Sequence, residues 1–97
     1  MNGRRSNLQI IAEMLRLSLR EAGKTRLMYN VNMSHSQLER YLAFLLERGF
    51  LEEVDNKARN GSVRYRTTSK GRELLREIER MMELLGLEDC DGDQKGA

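Results

Sequence analysis

Apolar residues recur along this chain in two periods, and the changes of period mark out its elements. Ser6 and Gln9 have capping-box spacing, after which Leu8, Ile11, Ala12, Leu15 and Leu19 return every three or four residues. That pattern predicts a first helix over about Asn7 to Ala22, stopped by Gly23. A second apolar stripe, Ile10, Met14 and Leu17, lies on another face of the same helix and is more than one small core requires. Leu27, Met28 and Val31 mark a short helix over Thr25 to Asn30, closed by Asn32 and unable to stand without packing. Ser34 is the N-cap of a third helix, with Leu38, Tyr41, Leu42, Leu45 and Leu46 as its buried stripe and Gly49 as its stop. Two helices joined through a polar break in this way have the layout of a helix-turn-helix.

Beyond Phe50 the period shortens. Phe50 to Val54 is apolar at both ends, and Val63, Tyr65 and Thr67 alternate with Arg64 and Arg66, which predicts two strands paired across Asn60-Gly61. Thr68 or Ser69 then caps a last helix running to about Leu85 before Gly86. In it Leu74, Ile78, Met81 and Leu85 follow heptad spacing, widened by Leu75 and Met82. A domain this small leaves little core for a fourth helix, so the seam is expected to meet a partner helix, and helix four of the partner or of the same chain could lie against the spare stripe of helix one. The expectation is a homodimer whose interface holds Ile10, Met14, Leu17, Leu74, Leu75, Ile78, Met81, Met82 and Leu85. Packing of helix four on its own domain alone is the alternative.

The fold class is therefore mostly α with a small β-hairpin, a winged helix-turn-helix. Residues 6–68 form the domain, 69–86 the dimerisation helix and 87–97 an acidic tail expected to be disordered. The formal charge of +2 over 97 residues conceals that tail. Glu88, Asp89, Asp91 and Asp93 against Lys95 give it a net −3 and leave the body at +5. Such a body is drawn to polyanions, though the bias alone does not single out nucleic acid. No apolar run approaches the length of a membrane span and no signal-peptide core follows Arg4-Arg5, so a cytoplasmic protein is expected. Cys90 stands alone and implies neither a disulfide nor a metal site.

The face of helix three opposite its buried stripe presents His35, Ser36, Gln37, Arg40 and, lower down, Arg48. With Ser34 at its start and Arg26 on the preceding helix, these donors suit phosphates and base edges in a major groove, where Gln pairs with adenine and Arg with guanine. A solvated polar face is the plainer alternative. Lys57, Arg59, Arg64 and Arg66 make the hairpin cationic against Asp55 alone, which suits phosphate or minor-groove contact; protection of an edge strand is the other reading. Catalysis finds little support: His35 is the one histidine, no Gly-rich phosphate loop is present, and the carboxylates spread over helix surfaces. No cofactor, metal or small-molecule ligand is expected, and the tail lacks the pattern of a calcium loop.

Lys24 to Tyr29 with Met33-Ser34, then Tyr41-Leu42, Leu45 and Gly49-Phe50-Leu51, and finally Tyr65 with Thr68 and Lys70-Gly71, carry a family resemblance. Over about Leu8 to Leu85 the chain resembles the small archaeal winged-helix proteins of the dimeric, chromatin-associated type and related repressor-like domains. The resemblance implies a dimer through a C-terminal antiparallel coiled coil and binding of double-stranded DNA, with association with the nucleoid. It would place Ser36, Gln37 and Arg40 in the groove and Arg59 and Arg64 at the wing. Thr67 departs from the family, which usually has an apolar residue there, and the final helix is short. A winged helix serving as a protein-interaction module is the competing class. A continuous basic surface of Arg40, Lys57, Arg59, Arg64 and Arg66 would favour DNA; scattered or acid-paired cations would favour the module.

Overall fold

Ser6 opens the first helix as its sequence pattern requires: its hydroxyl accepts from Gln9 N at 3.2 Å while its own N donates to Gln9 Oε1 at 2.8 Å. The computed structural model describes residues 6–56 and 62–86. Four helices and one hairpin follow in the order α1 (Asn7–Leu17), α2 (Lys24–Val31), α3 (His35–Glu47), β1 (Leu51–Asn56), β2 (Ser62–Thr67) and α4 (Ser69–Leu85). The hairpin is antiparallel, with Leu51 opposite Thr67, Glu52 opposite Arg66, and Val54 opposite Arg64. The turn expected at Asn60-Gly61, with Lys57 and Arg59, and the tail from Leu87 lie outside the described residues.

Helix α1 ends at Leu17, five residues before the expected Ala22, and passes through one 3-10 turn, Ser18–Arg20. The cause is a long-range pairing. Glu21 adopts φ 65°, and Ala22 then exchanges two backbone hydrogen bonds with Tyr65, at 3.0 and 2.8 Å. The chain leaves the helix to lay a third short segment beside β2. Gly23 consequently begins α2 as its N-cap instead of ending α1. At the other end of α2, Asn32 takes the left-handed conformation at φ 60° and its N donates to Met28 O at 2.8 Å.

One core joins all the elements. Ala12, Met14 and Leu15 of α1, Leu27 and Val31 of α2, Leu38, Leu42 and Leu45 of α3, Leu51 and Tyr65 of the hairpin and Leu75, Ile78 and Met82 of α4 are its buried apolar side chains, with Ala22. This corrects the expected seam. Met14, Leu75, Ile78 and Met82 lie inside the protomer, because α4 packs on α1 of its own chain and Arg16 anchors the pair to Glu79 at 2.9 Å. The main stripe of α1 is also displaced, since Leu8 and Leu19 remain 40 % exposed while Met14 is sealed. Leu74, Met81, Leu84 and Leu85 are what α4 leaves at the surface, the first half-buried and the others exposed.

The hairpin, α3 and α4 meet at Gly71. A side chain there would collide with the Phe50 carbonyl oxygen and come within 2.7 Å of Thr67 Cγ2. Thr67, buried, donates to Leu15 O at 2.6 Å, satisfying a carbonyl near the end of α1 that has lost its intrahelical partner. Thr68 caps α4 by accepting from Gly71 N at 3.0 Å while its hydroxyl donates to Gly49 O at 2.6 Å. Gly71→Ala is therefore expected to cost about 1–3 kcal/mol of stability. Urea unfolding measures it, and a midpoint within error of the parent would show that α4 can shift away.

Candidate nucleic-acid interface

The third helix is held at both its start and its inner face. Ser34 accepts from Gln37 N at 3.2 Å and Gln37 Oε1 accepts from Ser34 N at 3.2 Å, a reciprocal capping box. Leu38, Leu42 and Leu45 anchor the buried side. Helical geometry then turns Ser36, Arg40, Ala43 and Glu47 outward as one row with 4-3-4 spacing, all exposed. Ala43 extends the face expected from the sequence, and Glu47 at its end is an acid that tempers it; the same spacing is legible in the sequence.

The expected site residues divide by what they touch. Arg40 and Arg26 are exposed and have no ion-pair partner among the described residues. Arg64, half-buried on β2 opposite Val54, is likewise without an acid. Arg66 is not: its guanidinium pairs with Glu52 at 2.9 Å and Glu21 at 3.5 Å, so it ties the base of the hairpin to the turn after α1. Ser34 and Gln37 are engaged in the cap, which leaves the Gln37 amide nitrogen as its remaining hydrogen-bonding group. Ser36 Oγ lies 3.4 Å from Ser34 Oγ. Arg48 leans over the Phe44 ring at 5.2 Å, off the outward row.

A cluster of charges flanks that row. Lys24 Nζ, at the start of α2, donates to Glu39 Oε2 at 2.7 Å, and His35 Nε2 lies 3.4 Å from the same oxygen. The Lys24 hydrogen bond is the main cause holding the Glu39 carboxyl below its ordinary value, with its charge and that of His35 adding. The same bond raises Lys24, helped by Tyr65 and Glu53, and burial raises Tyr65. The continuous basic surface is thus only partly formed by the described residues: Arg40 and Arg64 are open, Arg66 is acid-paired, and two wing cations are not described.

Shallow clefts border the helices among the described residues. One, of about 300 Å³, is lined by Asn7, Ile11, Arg40, Tyr41 and Phe44, with Tyr41 Oη donating to Asn7 Oδ1 at 2.7 Å. Among the described residues no group of three His, Cys, Asp or Glu side chains has metal-ligand geometry, and no helix is long and apolar enough to cross a membrane.

Residues 4–86 match a family model described as winged helix-turn-helix. Among solved structures the chain is similar to Sso10a-2, a DNA-binding protein from Sulfolobus solfataricus, with a TM-score of 0.74 and 25% identity over 84% of this chain and 83% of that one. SSV1 F-93 superimposes with a TM-score of 0.64 at 19% identity, covering 89% of this chain and 97% of that one. Wild-type MarR from E. coli, in its apo form, gives 0.67 at 16% identity, covering 92% and 70%. At such identities the latter two show the shared fold. No curated protein matches.

The cluster around Glu39 makes a prediction about pH. A depressed carboxyl contributes stability above its unfolded-state pKa and loses it as pH falls through the folded value; a raised lysine contributes below its unfolded-state pKa and loses it as pH rises through the folded one. The pair therefore holds from mildly acidic through strongly basic solution and fails only in acid or at extreme alkalinity. Carboxyl NMR titration should place Glu39 below an ordinary glutamate, and Lys24→Met should move it back up. A Glu39 midpoint unmoved by that substitution would contradict the assigned cause.

Proposed function

The chain belongs to the winged helix-turn-helix family, and from that premise we propose that it binds double-stranded DNA as a homodimer, with α3 in the major groove. What supports this reading most directly is the outward row of α3. It presents Arg40, which has no acidic partner among the described residues, on a helix fixed by a capping box and three buried leucines. A rigid helix presenting an uncommitted guanidinium suits bidentate recognition of guanine, and Ala43 one turn on suits contact with a thymine methyl. Ser36, exposed on the same row, suits a base edge or phosphate.

Arg26 on α2 and Arg64 on the hairpin suit phosphates, and Lys57 and Arg59, outside the described residues, are expected by their charge to add to them; such contacts position without specifying sequence. The role is that of a transcription regulator or an architectural protein of the nucleoid. The DNA-binding activity of Sso10a-2, the neighbour at 25% identity, supports the same reading.

Binding to a labelled mixed-sequence duplex across a salt series tests the proposal. Affinity should fall steeply with salt; no binding at low salt would reject it. Arg64→Ala should weaken all duplexes alike and lower the salt slope by about one, whereas Arg40→Ala should reduce discrimination between sequences. An unchanged slope for Arg64→Ala would remove the hairpin from the interface.

The dimer reading rests on the apolar strip that α4 leaves outside its own core. Leu74, Met81 and Leu85 share one flank of the helix, with Leu84, 80 % exposed, next to them. A second α4 lying against this strip would bury it, while Ile10 and Leu17 on α1 are half-buried against the protomer's own core. Met81→Glu with Leu85→Glu should give a folded monomer by sedimentation, since both side chains are exposed in the protomer. A dimer persisting in that double variant would exclude α4 from the interface.

A further inference from the structure

Glu39 places a carboxylate beside a helix face that, on the reading above, approaches a polyanion. Two nitrogens converge on one of its oxygens: the Lys24 ammonium at 2.7 Å from the first turn of α2, and His35 Nε2 at 3.4 Å from one turn earlier on α3. Lys24 and Glu39 are both nearly half exposed, at 45 % and 43 %. An ion pair this open contributes little to stability, so holding α2 against α3 is a weak account of it. Its effect on a nearby phosphate is larger in kind. While the pair is formed, Lys24 is turned to a carboxylate and is not free to replace a counterion on DNA.

We propose that Glu39 is a brake on sequence-independent DNA binding, acting by holding Lys24 away from phosphates. The inference rests on the DNA-binding reading of α3. Affinity for any duplex grows with the number of phosphates the protein neutralises, whatever the sequence. Holding one lysine in reserve therefore lowers affinity for bulk DNA, while Arg40 and Ser36, which have no part in the pair, keep their access to base edges. Glu39 is a positioning residue in this account and touches no base.

Glu39→Gln, Lys24→Gln and the double variant test the proposal. Fluorescence anisotropy with two labelled duplexes of unrelated sequence, across a salt series, is read beside thermal unfolding of each protein. Glu39→Gln should steepen the salt slope by about 0.9 and tighten both duplexes on the order of fivefold near 0.1 M salt. Lys24→Gln should leave the slope near that of the parent, and the double variant should lose the gain. A parental slope in Glu39→Gln, with or without a shifted unfolding midpoint, overturns the proposal and leaves the pair a structural tie. A gain that persists in the double variant also overturns it, because repulsion by the carboxylate alone would then suffice. Parent protein that fails to bind at low salt removes the DNA-binding reading, and this inference with it.

Discussion

The close approach of α4 to the hairpin at Gly71 is the constraint on which the remaining geometry depends. Within a few residues, Thr67 ties β2 to the end of α1, Thr68 ties the start of α4 to the end of α3, and the bare Gly71 backbone lets α4 pass the Phe50 carbonyl. The Thr67 contact satisfies a carbonyl that the end of α1 would otherwise leave unpaired, and burial makes such satisfaction compulsory. The junction thereby sets the angle between hairpin and α3. A duplex touched by both would meet two surfaces whose relative position is decided here, well behind the interface.

Electrostatic commitments narrow the surface in front of it. The body of the protein is cationic, yet its described cations are not equally available. Arg66 is shared between Glu52 and Glu21, Arg16 is held by Glu79, and Lys24 is held by Glu39. Among the described residues, Arg40, Arg26 and Arg64 are what remain without an acidic partner on the elements of the proposed interface. Net charge thus overstates the footprint, and the identity of the few open guanidinium groups carries more information than the sum.

Features written in local sequence proved legible. Ser6 with Gln9 and Ser34 with Gln37 form the two capping boxes, Asn32 closes α2, Thr68 caps α4 and Gly86 ends it, because each rests on residues within one turn of the chain. The hairpin alternation between Val63 and Thr67 was equally plain. What depended on distant partners was not. No local rule tells that Ala22 will pair with Tyr65 and cut α1 short, or that Arg66 will find Glu21. The stripe of α1 with Met14 reads as surplus to one small core, and only α4 of the same chain decides that Met14 is sealed while Leu8 stays half open. Heptad spacing on α4 likewise reported an apolar face without reporting whose helix would cover it. Thr67, an apparent mismatch in an apolar position, is explained by a carbonyl more than fifty residues away in the chain, at Leu15.

Helix α3 is the element proposed to meet DNA. The most direct measurement is a backbone amide NMR titration of the labelled protein with a short duplex at low salt, following every residue at once. Saturable shifts concentrated at Ser36, Arg40, Ala43 and Arg64, with the amides of Leu74 to Leu85 left in place, are the result this structure predicts. Shifts confined to the α4 strip, or a titration that leaves α3 unmoved, would contradict it.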